Sequence, residues 1–178
     1  MKAIVISAFP ACGKSTYFNQ KSIYSKTGLS EKEGGLKILD SDSSFFSWTY
    51  EENGVKTDTR NPEFPQNYIE HIKKHLDTED IIFVSSHKVV REALDAAGIR
   101  YYSVFPDKDS KDEWIRRFKE RGNDDSFIKF QDEHYDEFID DLMNDTTPLL
   151  KCILNKNNVI DDRLIVMLRT GSRSDVCL

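Results

Sequence analysis

Ala8-Phe9-Pro10-Ala11-Cys12-Gly13-Lys14-Ser15-Thr16 is the stretch on which the reading of this chain turns. It follows the apolar run AIVISA (residues 3–8) and leads into KSTYFNQ (residues 14–20), which can open a helix. An apolar run with little alternation suits a strand buried on both faces, as in a parallel sheet. A turn between such a strand and a helix offers successive backbone N–H groups around a concave surface. The helix start adds free N–H groups and the positive end of its dipole. In that setting Lys14 reaches the β- and γ-phosphates of a nucleotide and the Ser15 hydroxyl binds Mg²⁺. Gly13 lets backbone approach phosphate with no Cβ in the way. The expected nucleotide-binding set is therefore Phe9, Pro10, Ala11, Cys12, Gly13, Lys14, Ser15 and Thr16.

Outward from this stretch, strand and helix patterns alternate. Residues 36–39 read as a second short strand ending at Asp40, after a polar connection over 27–35. Residues 43–50 are aromatic-rich, and 51–60 read as a polar excursion. Residues 62–76 place Tyr68, Ile69, Ile72 and Leu76 at helical spacing. IIFV (81–84) is the clearest buried strand. A helix over 87–97 is stopped by Gly98. A strand over 101–105, a charged helix over 110–120, a long helix over 124–143, a strand over 149–154, a helix over 161–168 and a loose tail complete the series. This order predicts a doubly wound α/β domain with a central parallel sheet, with ligands at the carboxyl ends of the strands.

Two acidic residues, Asp40 and Asp42, fall at such a strand end. A carboxylate facing bound phosphates can orient an attacking oxygen or help to hold Mg²⁺. Asp42, the preferred metal partner of Ser15, also suits a helix cap. The strand over 81–84 ends in Ser85-Ser86 rather than aspartate, which raises the demand on this pair.

The turn resembles the GxPGSGKST form of small P-loop kinases, with Pro10 in register with its proline. Similar loops occur in nucleoside monophosphate kinases, polynucleotide 5′-kinases and related phage-encoded (bacteriophage) kinases. Leu39-Asp40-Ser41-Asp42 resembles the acidic pair after the second strand in polynucleotide-kinase-like enzymes. PDKDSKDEWIRRFKERGN (106–123) resembles their arginine-bearing lid helix. The resemblance implies a three-layer P-loop NTPase fold in a single kinase domain over 1–178, with a small helical lid at about 107–127 and ATP and Mg²⁺ as cofactors. It implies that Lys14, Asp40, Asp42, Arg117 and Arg121 are catalytic, with one aspartate acting as base toward an acceptor hydroxyl. Two positions depart from the pattern, Ala8 and Ala11, each standing where glycine is usual. An alanine at positive φ costs about 1–2 kcal/mol, so Ala8 is expected to keep an ordinary backbone angle in a locally different loop.

Arg117 and Arg121 are spaced i, i+4 and share a helix face. Arginine forks bind phosphate oxygens in two-pronged fashion, although Asp112, Glu113 and Glu120 offer ordinary local ion pairs. His87, Lys88 and Arg91 either bind an acceptor phosphate or are solvated. Phe45, Phe46, Trp48 and Tyr50 either stack on an acceptor ring or pack in the core.

The 178 residues suffice for one domain. A formal net charge of −6 disfavours extended nucleic-acid binding, which depends on neutralising phosphates. The three cysteines show neither disulfide nor zinc spacing. His71 and His75 lack an HExxH context and read as a helix face. A signal peptide and a membrane span are both absent from the pattern, so a cytoplasmic protein is expected. The expected activity is transfer of the γ-phosphate of ATP to a nucleoside or nucleoside monophosphate. The alternatives are a polynucleotide 5′-hydroxyl kinase and a non-catalytic ATP-binding module.

Overall fold

The computed structural model describes residues 2–23 and 35–171. Five strands, β1 (Ile4–Ala8), β2 (Ile38–Asp40), β5 (Ile81–Ser85), β6 (Tyr101–Pro106) and β7 (Lys151–Leu154), form one sheet in the order β2-β5-β1-β6-β7. Every pairing in it is parallel. Helices α1 (Lys14–Lys21), α3 (Gln66–His75), α4 (Lys88–Ala96), α5 (Lys111–Glu120), α6 (Asp125–Asn144) and α7 (Asp162–Thr170) flank it. The expected α/β class and central parallel sheet are present. No described helix is long and apolar enough to cross a membrane.

The sheet's alternation divides the core in two. Ile6, Ala8, Ile81 and Phe83 join one cluster with residues of α5, α6 and α7, whereas Val5, Ile82 and Val84 join another with α3 and α4. This is why β1 and β5 read as unbroken apolar runs: both faces are covered. In α3, Tyr68, Ile69 and Ile72 bury one stripe. In α4, Val90 and Leu94 do the same, and Gly98 at φ 68° ends the segment. Asp124 caps α6 by accepting from the Phe127 N–H at 2.8 Å, and Asp161 caps α7 by accepting from Leu164 N–H at 2.9 Å.

The polar excursion over 51–60 contains a strand. β3 (Trp48–Tyr50) and β4 (Lys56–Arg60) pair antiparallel beside the short helix α2 (Ser44–Ser47). The exposed, polar KTDTR of β4 has no apolar alternation to reveal it. The better signal was Asn53-Gly54, a strong hairpin-turn pair. The connection expected over 27–35 and the tail expected over 171–178 lie almost wholly outside the described residues.

α5 is not set apart from the domain, because Trp114 and Phe118 are fully buried in the larger core cluster. Arg91 is also internal. Its side chain is 4% exposed and paired with Asp141 and Asp145 of the α6 end, while its Nε donates to Ser86 O at 3.0 Å. Lys88 lies 3.5 Å from Asp141. Of the two readings of Arg91, solvated or acceptor-binding, neither holds: it ties α4 to α6. Burial opposes the charge on Asp145, but hydrogen bonds from Thr147 and the Arg91 guanidinium outweigh it and hold its carboxyl below the usual aspartate range.

Breaking such a pair leaves buried carboxylates unmatched, so Arg91→Ala is expected to cost about 3 kcal/mol in urea unfolding at neutral pH. A depressed carboxylate stabilises above its unfolded value of about 3.9 and loses that contribution as pH falls through the lower folded value. The deficit of Arg91→Ala should therefore be largest at neutral pH and shrink in acid, as the unmatched carboxylates of the variant take up protons.

Candidate functional site

The carboxyl ends of β1, β2 and β5 lie side by side, with Ala8 in register with Ser85 and Asp40 with Phe83. A cleft of about 1000 Å³ opens there, lined by the β1–α1 turn, the Asp40–Trp48 segment, Arg60, Ser85–His87, the end of α5, and Val159.

The turn is shaped by where its carbonyls go. Ala8 O accepts from Lys14 Nζ at 2.6 Å and Phe9 O from the same ammonium at 3.4 Å. Pro10 O accepts from the Trp114 indole at 3.0 Å, and Ala11 O from Arg117 at 3.5 Å. Cys12 O accepts from the Ile160 N–H at 2.8 Å. The N–H groups of Ala11 and Gly13, and those of Lys14, Ser15 and Thr16 in the first turn of α1, have no acceptor among the described residues. The result is a concave set of donors at a helix start, suited to an anion with several oxygens.

Backbone conformation agrees with this reading. Gly13 has φ 101°, and a Cβ there would lie 3.1 Å from Val159 Cβ and 3.3 Å from Ile160 N. Ala8 is ordinary strand, as expected, but Ala11 has φ 62°, the only non-glycine in the left-handed region among the described residues. The departure from glycine at Ala11 is thus borne as strain of about 1–2 kcal/mol. The Cys12 thiol is fully buried, and burial pushes its pKa up to about 12, so it is an inert packing group and not a nucleophile.

Lys14 is desolvated enough to lower its pKa, with Cys12 and Asp40 opposing that shift. Its ammonium folds back on two carbonyls and lacks a bonded carboxylate, so an arriving anion would complete its pairing. Ser15 Oγ donates to Asp40 Oδ2 at 2.7 Å. Asp42 instead accepts from the Ser44 N–H at 2.8 Å and lies exposed in the cleft. It therefore makes a local turn contact, the cap position of α2 being Ser43, while Asp40 is the carboxylate that meets Ser15. No described group of three or more His, Cys, Asp or Glu side chains could hold a metal ion by itself. Ser15 with Asp40 fits a Mg²⁺ that takes its remaining ligands from phosphate oxygens and water.

The two α5 arginines differ. Arg117 stacks on Trp114 at 4.1 Å, donates to Glu113 at 2.9 Å, and donates to the carbonyls of Ala11, Lys156 and Asn158. Most of its donors are spent on joining α5 to two loops. Arg121 is exposed on the cleft, and its side chain has no hydrogen bond or ion pair among the described residues. Phe46 packs in the core against Tyr68, with ring centroids 5.0 Å apart, whereas Phe45 and Trp48 line the cleft. Sequence reasoning missed Arg60 and the Asn158–Ile160 loop that braces the turn. Neither carries a local motif; both arrive through tertiary contact.

No protein-family model matches this chain, and a search of curated proteins gave no match. What stands established is an α/β protein with a five-stranded parallel sheet and a donor-lined cleft at its carboxyl edge.

The turn's geometry predicts opposite responses at its two strained positions. Ala11→Gly should retain or raise stability, by up to about 1 kcal/mol, because relieved strain exceeds the added chain entropy. Gly13→Ala should lower it by about 1–2 kcal/mol or more, since positive φ and the contact with Val159 both oppose a Cβ. Urea midpoints of both variants against the parent protein provide the check.

Proposed function

We propose that this protein is a P-loop kinase, an ATP-dependent phosphotransferase that moves the γ-phosphoryl group of Mg·ATP to a nucleoside or nucleoside monophosphate. The observation that carries the reading is the set of five unpaired N–H donors with Lys14 at the β1–α1 turn, in one cleft with Asp40 and Asp42. The backbone N–H groups of Ala11, Gly13, Lys14, Ser15 and Thr16 hold the phosphate oxygens, and Lys14 turns from its carbonyls to the β- and γ-phosphates. Mg²⁺, when bound by Ser15 and Asp40 beside the phosphates, neutralises charge on the transferring group. Arg121 adds a guanidinium from the end of α5, and Arg117 keeps α5 fixed to the turn.

The acceptor oxygen attacks the γ-phosphorus as the bond to the β–γ bridging oxygen breaks, and ADP leaves with that electron pair. If the acceptor group is a hydroxyl, its proton passes to Asp42; if it is a phosphate oxygen, Asp42 only positions it. Acceleration comes chiefly from alignment and fixed charge.

ADP release from Mg·ATP, followed with nucleosides, nucleoside monophosphates and 5′-hydroxyl oligonucleotides, tests the reading. Stimulation by a nucleoside or its monophosphate is expected, with Lys14→Ala losing ATP binding. Asp42→Asn should keep ATP affinity while turnover falls roughly 10²-fold or more for a hydroxyl acceptor. ATP binding with no acceptor stimulation would leave a nucleotide-binding module and end the transferase reading.

A further inference from the structure

The cleft's cations are not equally occupied. Lys14 rests on carbonyls, and Arg117 is spent on Glu113 and three loop carbonyls. Arg121 acts on Lys14 and Cys12, which places its charge on the side of the β1–α1 turn. Arg60 differs in partner and in position. It is the cross-strand neighbour of Trp48 in the β3–β4 hairpin, and its guanidinium lies over the indole, 3.9 Å from the ring centroid. Lys56 covers the same ring at 4.4 Å. Neither cation has a carboxylate partner among the described residues, although Asp and Glu outnumber Lys and Arg by 31 to 25. By contrast Arg91, Arg116, Arg117 and Arg169 all have one.

A guanidinium laid on an indole has its plane fixed while its N–H edge stays free, the arrangement that grips a phosphate with two parallel bonds. The surroundings are polar. Ser43, Ser44 and Ser47 line the cleft between Asp42 and Trp48. Ser41, 5% exposed, also contributes to the lining, and its hydroxyl is buried with no hydrogen-bond partner. His87 joins this end to the turn. Its Nδ1 meets Ser85 Oγ at 3.0 Å, and it feels the charges of Lys14, Asp42 and Arg60 together.

We propose that the acceptor carries an anionic group of its own, a phosphate, and that Arg60, stacked on Trp48, holds it beyond Asp42. This rests on the phosphotransferase reading and narrows it: the substrate is a nucleotide, and an uncharged nucleoside is a poor one. The shared chemistry is a phosphate monoester on a nucleoside. It is either the group attacked, as in a 5′-monophosphate, or a handle beside an attacked hydroxyl, as in a 3′-monophosphate.

Titrations without ATP, read by tryptophan fluorescence, test this. The probes are nucleoside 5′-monophosphates, 3′-monophosphates and the parent nucleosides, with Trp48→Phe identifying the responding ring. Monophosphates of one series should bind roughly ten- to hundredfold more tightly than nucleosides, from charge-assisted hydrogen bonds. Arg60→Gln should erase that difference, and Arg60→Lys should restore part of it. Equal affinity for nucleosides and monophosphates, no binding of either monophosphate series, or an unchanged Arg60→Gln variant would overturn the proposal. ATP titration of the same variants separates the two readings. ATP binding that depends on Lys14 but not on Arg60 keeps the phosphotransferase reading alive even if the acceptor inference fails.

Discussion

Five consecutive carbonyls, from Ala8 to Cys12, are each held by a donor from the protein's own body: the Lys14 ammonium, the Trp114 indole, the Arg117 guanidinium and the Ile160 N–H. A peptide unit cannot turn its C=O inward without turning its N–H the other way. The anchoring of the Pro10 and Cys12 carbonyls thus turns the Ala11 and Gly13 N–H groups the other way, while those of Lys14, Ser15 and Thr16 are free as the first turn of α1. Trp114 and Phe118 fix α5 in the core, Arg117 ties α5 to the Lys156–Asn158 segment, and Gly13 lets Val159 and Ile160 press against the turn. The backbone donors are in place without a ligand, whereas Lys14 rests on two of the anchored carbonyls.

Electrostatics follow the same plan. An acidic protein concentrates cations at one edge of its sheet, with Lys14, Arg60, Arg117 and Arg121 all lining one cleft. Arg117 is spent on the scaffold, Lys14 rests on two carbonyls, and Arg60 and Arg121 have no carboxylate partner among the described residues. Asp40 and Asp42 divide in a comparable way, one against Ser15 and one against a turn N–H in the open cleft. Two carboxylates two residues apart in sequence thus occupy different environments, in keeping with the separate metal-holding and acceptor-orienting roles proposed for them.

Most of the fold was legible because its signals are local. The unbroken apolar runs of β1 and β5, the 3.6-residue stripe of α3 and the glycine stop after α4 each report burial through sequence period alone. The glycine-lysine-serine turn was legible for the same reason, since its strand and helix flank it directly. Three features were not. The strand β4 has polar, exposed residues and pairs only with β3, so only its Asn-Gly turn announces it. Arg91 reads as a surface cation until α6, 50 residues later, brings Asp141 and Asp145 to it. Arg117 and Arg121 look equivalent at i, i+4, yet contacts from loops nearly 40 residues downstream bind one and leave the other free. Long-range pairing, which no window of sequence contains, decides which charges are scaffold and which are available.

The central claim is that the β1–α1 turn binds phosphate through its backbone. The direct measurement is a ¹⁵N-edited NMR titration with Mg·ADP, following backbone amides through the chain. The amides of Ala11, Gly13, Lys14, Ser15 and Thr16 should show the largest downfield shifts, saturating together, with Lys14→Ala weakening the response. Saturation of ADP binding with those five amides unmoved, or with the main shifts around Lys88–Asp95, would contradict the account.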